Sequence, residues 1–440
     1  TQKGFGQCMV PVVIRHWRLY PALMTNETER QSRDYDLIVW GASGFTGRLV
    51  VEYLATNYPQ GDPIRWAVGG RNEEKLGKVL DEIEFPGGRP EVVTGDGGDP
   101  QAMEAIAQRA RVILTTVGPY AKYGTPLVSA CAQHGTDYVD LCGEVQWMRQ
   151  VIDDCQDTAK ASGSRIVMSC GFDSIPSDFG AWVLNREAIR VSGLPCTEMS
   201  LLVKAMKGGA SGGTFASMLN AIDQAKADKR IARILADPYA LNPAGERSGP
   251  DGGEQRSARF DELAQTWTAP FVMASVNTRV VRRSNALQNY PYGKEFRYRE
   301  STQTGNGLRG RFRALMMSWG LGLFILGAAI PLTRKHVVRR LIPSPGEGPT
   351  RAQRESGFFN LRLFGRLSTG EPLILRITGD RDPGYGSTSK MMAESAICLA
   401  TGESDAVGGC WTPASAMGES LLQRLTANAG LAFELESPGA

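Results

Sequence analysis

The stretch LIVWGASGFTGRLVVEYL, residues 37–54, most constrains what this chain can fold into. A β-branched and aromatic run precedes three glycines and then apolar residues at helical spacing, which predicts a buried parallel strand, a tight turn and a helix. In a dinucleotide-binding corner the glycines allow the turn, the approach of a diphosphate and close helix–strand packing. The alternative is a structural turn without a ligand. We expect a diphosphate, bound by Gly41, Ser43, Gly44, Phe45, Thr46 and Gly47.

The second predicted strand, residues 64–68, helps to distinguish between cofactors. An NAD site usually has an acidic residue after this strand for the ribose 2′-hydroxyl, and a carboxylate would repel a 2′-phosphate. This sequence has Arg71 and Asn72 instead, and a guanidinium can hold phosphate oxygens with two hydrogen bonds. We therefore predict NADP(H), with a solvated arginine at a helix start as the alternative. Asp96, after the third strand, either contacts the adenine or caps the next helix.

Strands and helices alternate through the first part of the chain, and the pattern changes near Cys196. Alternation of this kind predicts an α/β fold with a Rossmann-like, doubly wound parallel sheet. Later strand-like runs predict a second α+β domain built on a largely antiparallel sheet. Those runs lie near residues 272–281, 294–300, 357–366 and 372–378. The predicted organisation is a disordered lead-in (1–34), an NADP-binding Rossmann domain (35–190), a substrate domain (191–385) and C-terminal helices that pack back on the Rossmann domain (386–440).

Composition narrows the class of protein. The chain of 440 residues is 42% hydrophobic and 22% charged, as in ordinary soluble proteins, and its net charge of +3 gives no argument for nucleic acid. Its eight cysteines form no CxxC pair, so we expect reduced thiols in a cytoplasmic protein. Its three histidines lie far apart in the sequence, so we expect no metal site.

Candidate catalytic and substrate residues follow the predicted strands, because ligands in this fold lie beyond the carboxyl ends of the strands. The block TTVGPYAKYG follows the fourth strand, and we expect Thr116, Gly118 and Pro119 to contact the cofactor. Each of the other candidates has a structural alternative, since aspartate and serine also cap helices and tyrosine also packs. The catalytic candidates are Tyr120, Lys122, Tyr123 and Asp173, and the substrate-binding candidates are Ser174, Ser211, Gly213 and Thr214.

Residues 314–333, ALMMSWGLGLFILGAAIPLT, form an uncharged segment with basic residues on both sides. Its length would be enough to span a membrane. A span would, however, place two parts of one predicted domain on opposite sides of the membrane. We therefore expect a helix that contacts a membrane surface or lines an acyl pocket, with a buried core helix and a membrane span as alternatives.

Several blocks of the sequence together resemble the saccharopine dehydrogenase-like family of oxidoreductases, and most closely its trans-acting enoyl reductase branch. The resemblance runs from about residue 35 to the C-terminus. It implies a Rossmann domain with nicotinamide dependence, phosphate-binding glycines at Gly41, Gly44 and Gly47, and a nicotinamide contact at Gly118 to Tyr120. The blocks are VWGASGFTGRLV, AVGGRNEEKL, TTVGPYAKYGTPLVSACAQHGTDYVDLCGE, SCGFDSIPSD, SGGTFASML and GGCWTPASAMGESLLQRL.

Three functions remain open at this point. The first, implied by the resemblance, is an NADPH-dependent enoyl reductase acting on an acyl-thioester or polyketide-type lipid intermediate, which an acyl carrier protein or synthase would present in trans. The second is saccharopine-type reduction of an amino-acid imine, which needs arginines for several carboxylates; Arg279, Arg282 and Arg283 could supply them. The third is a catalytically silent nucleotide-binding protein at a lipid surface.

Overall fold

Seven parallel strands form the first sheet, in the order β3-β2-β1-β4-β5-β6-β13. The computed structural model describes residues 32–61, 64–208, 212–334 and 348–436, and only the backbone of residues 214, 215 and 331. The central strands are almost wholly buried, as parallel strands covered on both faces must be. The strands are β1 (Tyr35–Trp40), β2 (Trp66–Gly70), β3 (Glu91–Thr94), β4 (Ala110–Thr115), β5 (Asp137–Val139), β6 (Arg165–Val167) and β13 (Gly409–Trp411).

Helices from both ends of the chain cover this sheet. Helix α13 is buried along its whole length and packs on α1, β4 and β5. Its Glu394 accepts hydrogen bonds from Tyr53 (2.6 Å) and Tyr58 (2.7 Å) of the first helix region and from Arg424 (3.2 Å) of α14, so the C-terminal segment is tied to the first domain. The helices are α1 (Phe45–Asn57), α2 (Glu73–Asp81), α3 (Pro100–Ala107), α4 (Tyr120–Tyr123), α5 (Thr125–Gln133), α6 (Val145–Ser162), α7 (Ile175–Ser192), α13 (Thr388–Ala400) and α14 (Pro413–Ala427).

The second sheet also has seven strands, in the order β14-β12-β11-β7-β10-β9-β8. All neighbouring pairs are antiparallel except β7 and β10. Helix α7 packs on β11 and β12, and one apolar core runs from Leu37 of β1 to Phe359 of β11. The strands are β7 (Glu198–Lys207), β8 (Arg259–Asp261), β9 (Thr266–Pro270), β10 (Arg297–Gly305), β11 (Phe358–Arg366), β12 (Pro372–Gly379) and β14 (Leu431–Glu436).

The fold class predicted from the sequence is confirmed, namely a doubly wound parallel sheet with a second, largely antiparallel one. Of the predicted lead-in, residues 1–31 lie outside the described residues. Arg33, within the predicted lead-in, donates hydrogen bonds to the carbonyl oxygen of Ala110 (2.6 Å) and to Thr136 Oγ1 (2.7 Å). The remaining helices are α8 (Gly212–Ala227), α9 (Lys229–Ala236), α10 (Ala274–Leu287), α11 (Gly307–Ala329) and α12 (Arg351–Glu355), and two short helical turns cover Pro331–Thr333 and Pro383–Ser387.

The strand predicted over 272–281 is wrong, because all of this stretch from Ala274 onward belongs to helix α10. Its valines and threonine suggested a strand, but β-propensity depends strongly on context. As a helix, the segment buries Val276 and Val280, four residues apart, on one side. Its arginines are buried as well and donate to backbone carbonyl oxygens, for example Arg279 to Asp237 (2.9 Å) and Arg283 to Cys410 (2.6 Å). Long-range acceptors of this kind cannot be read from local periodicity.

Candidate active site

The glycine corner between β1 and α1 has the geometry of a diphosphate-binding turn. Gly41 has φ +89°, a conformation that favours glycine, and its N–H donates to the carbonyl oxygen of Gly69 (2.8 Å). A Cβ on Gly47 would overlap the carbonyl oxygen of Gly41 and lie 2.9 Å from Cα of Ala42. Helix α1 starts at Phe45, so its first N–H groups lie at this corner. The backbone therefore leaves room for an anion where side chains would fill the space.

The residues predicted to select the cofactor lie at the carboxyl ends of β2 and β3. Arg71 follows β2 directly, is exposed, and forms no ion pair within the described ranges. Asn72 is the N-cap of α2 and accepts a hydrogen bond from the N–H of Lys75 (2.8 Å). Asp96 is exposed and accepts from the N–H of Gly98 (3.0 Å), while Asp99 is the residue that caps α3. Asp96 therefore does not cap α3, and its contact with the adenine stays a prediction.

A cavity of about 370 Å³ lies beyond the carboxyl ends of β1, β4, β5 and β6. Four strand ends supply one wall, which carries several glycines and Asp173. A second wall is largely apolar and comes from α8, α9 and the start of α10. The first wall includes Gly44, Phe45, Thr46, Thr116, Gly118 and Asp173, and the second includes Met218, Ala221, Leu235, Val272, Met273 and Val276. One wall thus joins the glycine corner, and the other suits an aliphatic group.

Asp173 is the carboxyl group that stands out in this cavity. It forms no hydrogen bond or ion pair with the described residues, and burial raises its pKa to about 6. A Cβ on Gly143 would lie 3.7 Å from Asp173 Oδ2 and 3.8 Å from Val276 Cγ2, so the carboxyl group and the apolar wall flank the same small position. A carboxyl group of this kind is protonated in an appreciable fraction of molecules near neutral pH and can donate that proton to a ligand.

The other predicted catalytic residues lie in different surroundings. Tyr120 reaches the cavity, but its hydroxyl donates to the carbonyl oxygen of Thr115 (3.1 Å) and accepts from the N–H of Leu141 (3.4 Å). Lys122 and Tyr123 are exposed and do not line the cavity, and Tyr123 is 50% exposed. Their role in chemistry at this cavity has no geometric support.

The predicted substrate residues divide in the same way. Gly213 lines the cavity. Ser174 is fully buried outside the lining, with its Oγ 3.5 Å from Asn277 Oδ1. Ser211 lies outside the described residues, as does the side chain of Thr214. Pro119 also lies outside the lining, whereas its neighbour Gly118 is part of it.

A buried hydrogen-bond network that the sequence did not indicate connects the two walls. Glu144 accepts hydrogen bonds from the N–H of Tyr120 (2.7 Å) and from Ser217 Oγ (2.8 Å) of α8. Gln146 donates to Gln224 (3.1 Å), also in α8. No local pattern marks these contacts, because the two bonds to α8 join residues more than seventy positions apart and the bond to Tyr120 spans 24 positions. The network positions α8 against the strand ends.

Known proteins resemble this chain in both sequence and fold. The profile of the saccharopine dehydrogenase NADP binding domain matches residues 37–167. A Mycobacterium tuberculosis protein provisionally named a trans-acting enoyl reductase is 40% identical over 414 residues, 91% of this chain and 97% of that protein. A trans-acting enoyl reductase of Mycobacterium bovis is 37% identical over 406 residues, 89% of this chain and 96% of that protein.

This chain belongs to the saccharopine dehydrogenase-like family. It is an NADP(H)-dependent oxidoreductase, and the predictions of family, enzyme class and cofactor are confirmed. A solved saccharopine dehydrogenase (L-Glu forming) from Saccharomyces cerevisiae shares the fold at 11% identity, with a TM-score of 0.50 over 91% of this chain and 99% of that one.

The corner and the cavity of this family member fit a nicotinamide dinucleotide. Gly41 and Gly47 leave the space that the diphosphate needs, and the cavity continues from that corner past Thr116 and Gly118. Arg71 lies at the end of the neighbouring strand, where it can meet a 2′-phosphate. Within the described residues, no group of histidine, cysteine and acidic side chains is arranged to hold a metal ion.

Proposed function

We propose that this protein is a trans-acting enoyl reductase that uses NADPH to reduce the carbon–carbon double bond of an acyl thioester. The cavity supports the proposal, since its lining includes one carboxyl group, that of Asp173, whose pKa is raised and which lies next to apolar side chains. The names of the relatives support the same reaction. An apolar wall of methionine, leucine and valine suits an acyl chain better than a charged amino acid.

The chain's own residues bind the cofactor and deliver a proton. Gly41 to Gly47 hold the diphosphate, Arg71 holds the 2′-phosphate, and Thr116 and Gly118 contact the nicotinamide end. When bound, NADPH supplies a hydride to the β-carbon of the enoyl thioester. Negative charge then develops on the thioester carbonyl oxygen, and protonated Asp173 gives its proton to the α-carbon, leaving a saturated acyl thioester. Met218 and Ala221 of α8 line the cavity and offer apolar surface to the acyl chain.

The imine-reducing alternative lacks the arginines that it requires. Arg279 and Arg283 are buried and bonded to carbonyl oxygens, and Arg282 donates to Asp251 (2.7 Å). None of the three lines the cavity. A substrate with several carboxylates would therefore meet an apolar wall and an acidic side chain.

The partners and location follow from the proposed substrate. An acyl thioester of polyketide type would be presented in trans by a synthase or an acyl carrier protein. The reductase would work in the cytoplasm, where the described cysteines, all free and buried, stay reduced. Peripheral membrane contact through residues 314–333 belongs to the same proposal, because lipid intermediates are held at membranes.

Turnover with defined substrates tests the proposal. We expect the purified full-length chain to oxidise NADPH when given an enoyl thioester and to release the saturated thioester, identified by mass spectrometry. An amino-acid imine should produce no turnover. Tight NADPH binding without reduction of any enoyl thioester would instead support the silent nucleotide-binding protein.

The cofactor preference gives a second test. Because charge-assisted hydrogen bonds contribute about 1.5–3 kcal/mol, Arg71→Ala should raise the Kd for NADPH by about 10- to 100-fold and leave the Kd for NADH unchanged. Calorimetric titration of both dinucleotides measures this. The control is Lys78→Gln, which removes an exposed positive charge from the same region, where Lys78 pairs with Glu74. If Arg71→Ala weakened the binding of NADPH and NADH equally, Arg71 would not contact the 2′-phosphate.

A further inference from the structure

Helix α11 exposes an unusual amount of apolar surface. Eleven of the twenty exposed large apolar side chains in the described ranges lie between Leu308 and Leu332, a small part of the chain. The helix is long and apolar enough to cross a membrane, and only 17% of its apolar window is buried in the protein. The buried core helix considered from the sequence is therefore wrong. Patches of this kind mark surfaces that meet another apolar phase.

Helix α11 reverses the usual pattern of a surface helix, because its small side chains face the protein and its large apolar ones face outward. Small residues face the protein, and Gly310, Ala314 and Ser318 are buried. Large residues face outward, with Phe312 64% and Trp319 69% exposed. A surface helix normally turns its large apolar side chains inward and its charged ones outward. Here the outward face is built for an apolar environment.

Both ends of α11 are attached to the same folded body. At its start, Thr304 Oγ1 of β10 donates to the carbonyl oxygen of Gly310 (3.0 Å). Beyond its end, Arg334 donates two hydrogen bonds to Asp223 of α8 (2.6 and 2.7 Å), and Lys226 of α8 donates to the carbonyl oxygen of Ala329. A crossing helix would carry α8, with these charged residues, into the hydrocarbon. This geometry favours a helix that lies along a membrane surface.

Basic residues collect at one end of the exposed face. Arg309 and Arg313 are exposed and form no ion pair within the described ranges, and Arg311 lies over the Trp267 ring at 5.4 Å. The helix itself, GLRGRFRALMMSWGLGLFILGAA, contains no acidic residue. In an anionic bilayer, arginines can bind the lipid phosphates while the neighbouring apolar side chains enter the acyl boundary. Of the arginines and lysine after the segment, Arg334 is paired with Asp223, and the others lie outside the described residues.

We infer that α11 docks the protein on an anionic lipid bilayer, with its large apolar side chains in the acyl boundary and Arg309 and Arg313 on lipid phosphates. Helix α8 contacts the end of the α11 region and also lines the cavity. Its Asp223 and Lys226 contact the α11 region, while its Met218 and Ala221 line the cavity. Docking would therefore place the apolar wall of the cavity close to lipid. That last link rests on the proposed function, whereas docking itself does not.

Vesicle flotation of the full-length chain tests the inference without any substrate, so it can succeed even if no enoyl thioester is reduced. We expect the chain to float with vesicles of phosphatidylcholine and phosphatidylglycerol, and less with phosphatidylcholine alone. The triple variant Trp319→Ser, Leu323→Ser, Leu326→Ser should bind at least about 100-fold more weakly, since each large side chain contributes about 1.5–3 kcal/mol when buried. The double variant Arg309→Gln, Arg313→Gln should bind anionic vesicles more weakly, by roughly 5-fold for each charge removed. Its binding to phosphatidylcholine vesicles should not change.

The matched control is Val407→Ser, at a valine that is 71% exposed and far from α11 in the sequence. It should float like the wild type. The thermal midpoint and NADPH affinity of the triple variant should equal those of the wild type, because its three side chains are exposed. Failure of the wild type to bind anionic vesicles, or equal flotation of the triple variant, would overturn the inference. A wild-type dimer that the triple variant converts to a monomer, without vesicle binding, would identify a second copy as the occupant.

Discussion

Asp173→Asn is expected to lower kcat for enoyl-thioester reduction by about 10²- to 10⁴-fold, because an amide cannot donate the proton that completes the reduction. The wild-type rate should fall as pH rises through about 6, the pKa to which burial raises the Asp173 carboxyl group. The variant should lose this pH dependence. NADPH affinity should change little, so steady-state kinetics over pH, together with calorimetry, separate proton donation from cofactor binding.

The same substitution is expected to make the apo protein more stable. A carboxyl group whose pKa is raised from 3.8 to about 6 contributes stability that is present below pH 3.8 and lost as pH rises through about 6. Above that pH the folded protein carries a half-buried charge that has no hydrogen-bond or ion-pair partner among the described residues. Asparagine has no such charge, so urea unfolding above neutral pH should show a gain of about 1–3 kcal/mol, which shrinks toward pH 4.

Asp178 provides the contrast for this prediction. Burial raises its pKa to about 7, but its carboxylate accepts hydrogen bonds from Ser284 (2.5 Å) and from the N–H of Ala414 (2.8 Å). Asp178→Asn would set an amide N–H₂ against one of these donors and should destabilise the protein by about 1–3 kcal/mol. If Asp173→Asn kept the wild-type kcat, Asp173 would not be the proton donor. If it was as destabilising as Asp178→Asn, the Asp173 carboxyl group would have a hydrogen-bond partner.

Gly47→Ala is expected to weaken NADPH binding by at least about 100-fold and to lower the free energy of unfolding by about 1–3 kcal/mol. The added Cβ would overlap the carbonyl oxygen of Gly41, which is rigid backbone. This overlap can be removed only if the turn opens, and the N–H groups of that turn are the ones expected to bind the diphosphate. Calorimetric titration and thermal unfolding measure the two effects.

Gly77→Ala in α2 is the matched control for Gly47→Ala. An added Cβ at Gly77 would meet no atom within 4 Å, and the residue lies inside a helix. Alanine there should raise stability by about 0.5–1 kcal/mol and leave NADPH affinity unchanged. Wild-type NADPH affinity in Gly47→Ala would show that the diphosphate binds away from this corner.

The glycine corner was largely predictable from sequence, whereas the surroundings of the catalytic candidates were not. The glycines at 41, 44 and 47 act through the local backbone, so their spacing alone indicated the turn. Tyr120, Lys122, Tyr123 and Asp173 were equally good candidates by position, since all four follow strand ends. Only packing showed that Lys122 and Tyr123 are exposed and that Asp173 faces the cavity without a partner.

The sequence by itself determined the elements whose signals are local, which are the parallel strands, the glycine corner, the family and the apolar character of residues 314–333. The tertiary structure decided the features that depend on distant partners. It showed that 274–281 belongs to a helix whose arginines meet carbonyl oxygens, that Ser217 reaches Glu144, and that α11 turns its large side chains outward. The physical reason is that periodicity reports backbone geometry and average burial, whereas the neighbour of each buried face is set by contacts between residues far apart in the chain.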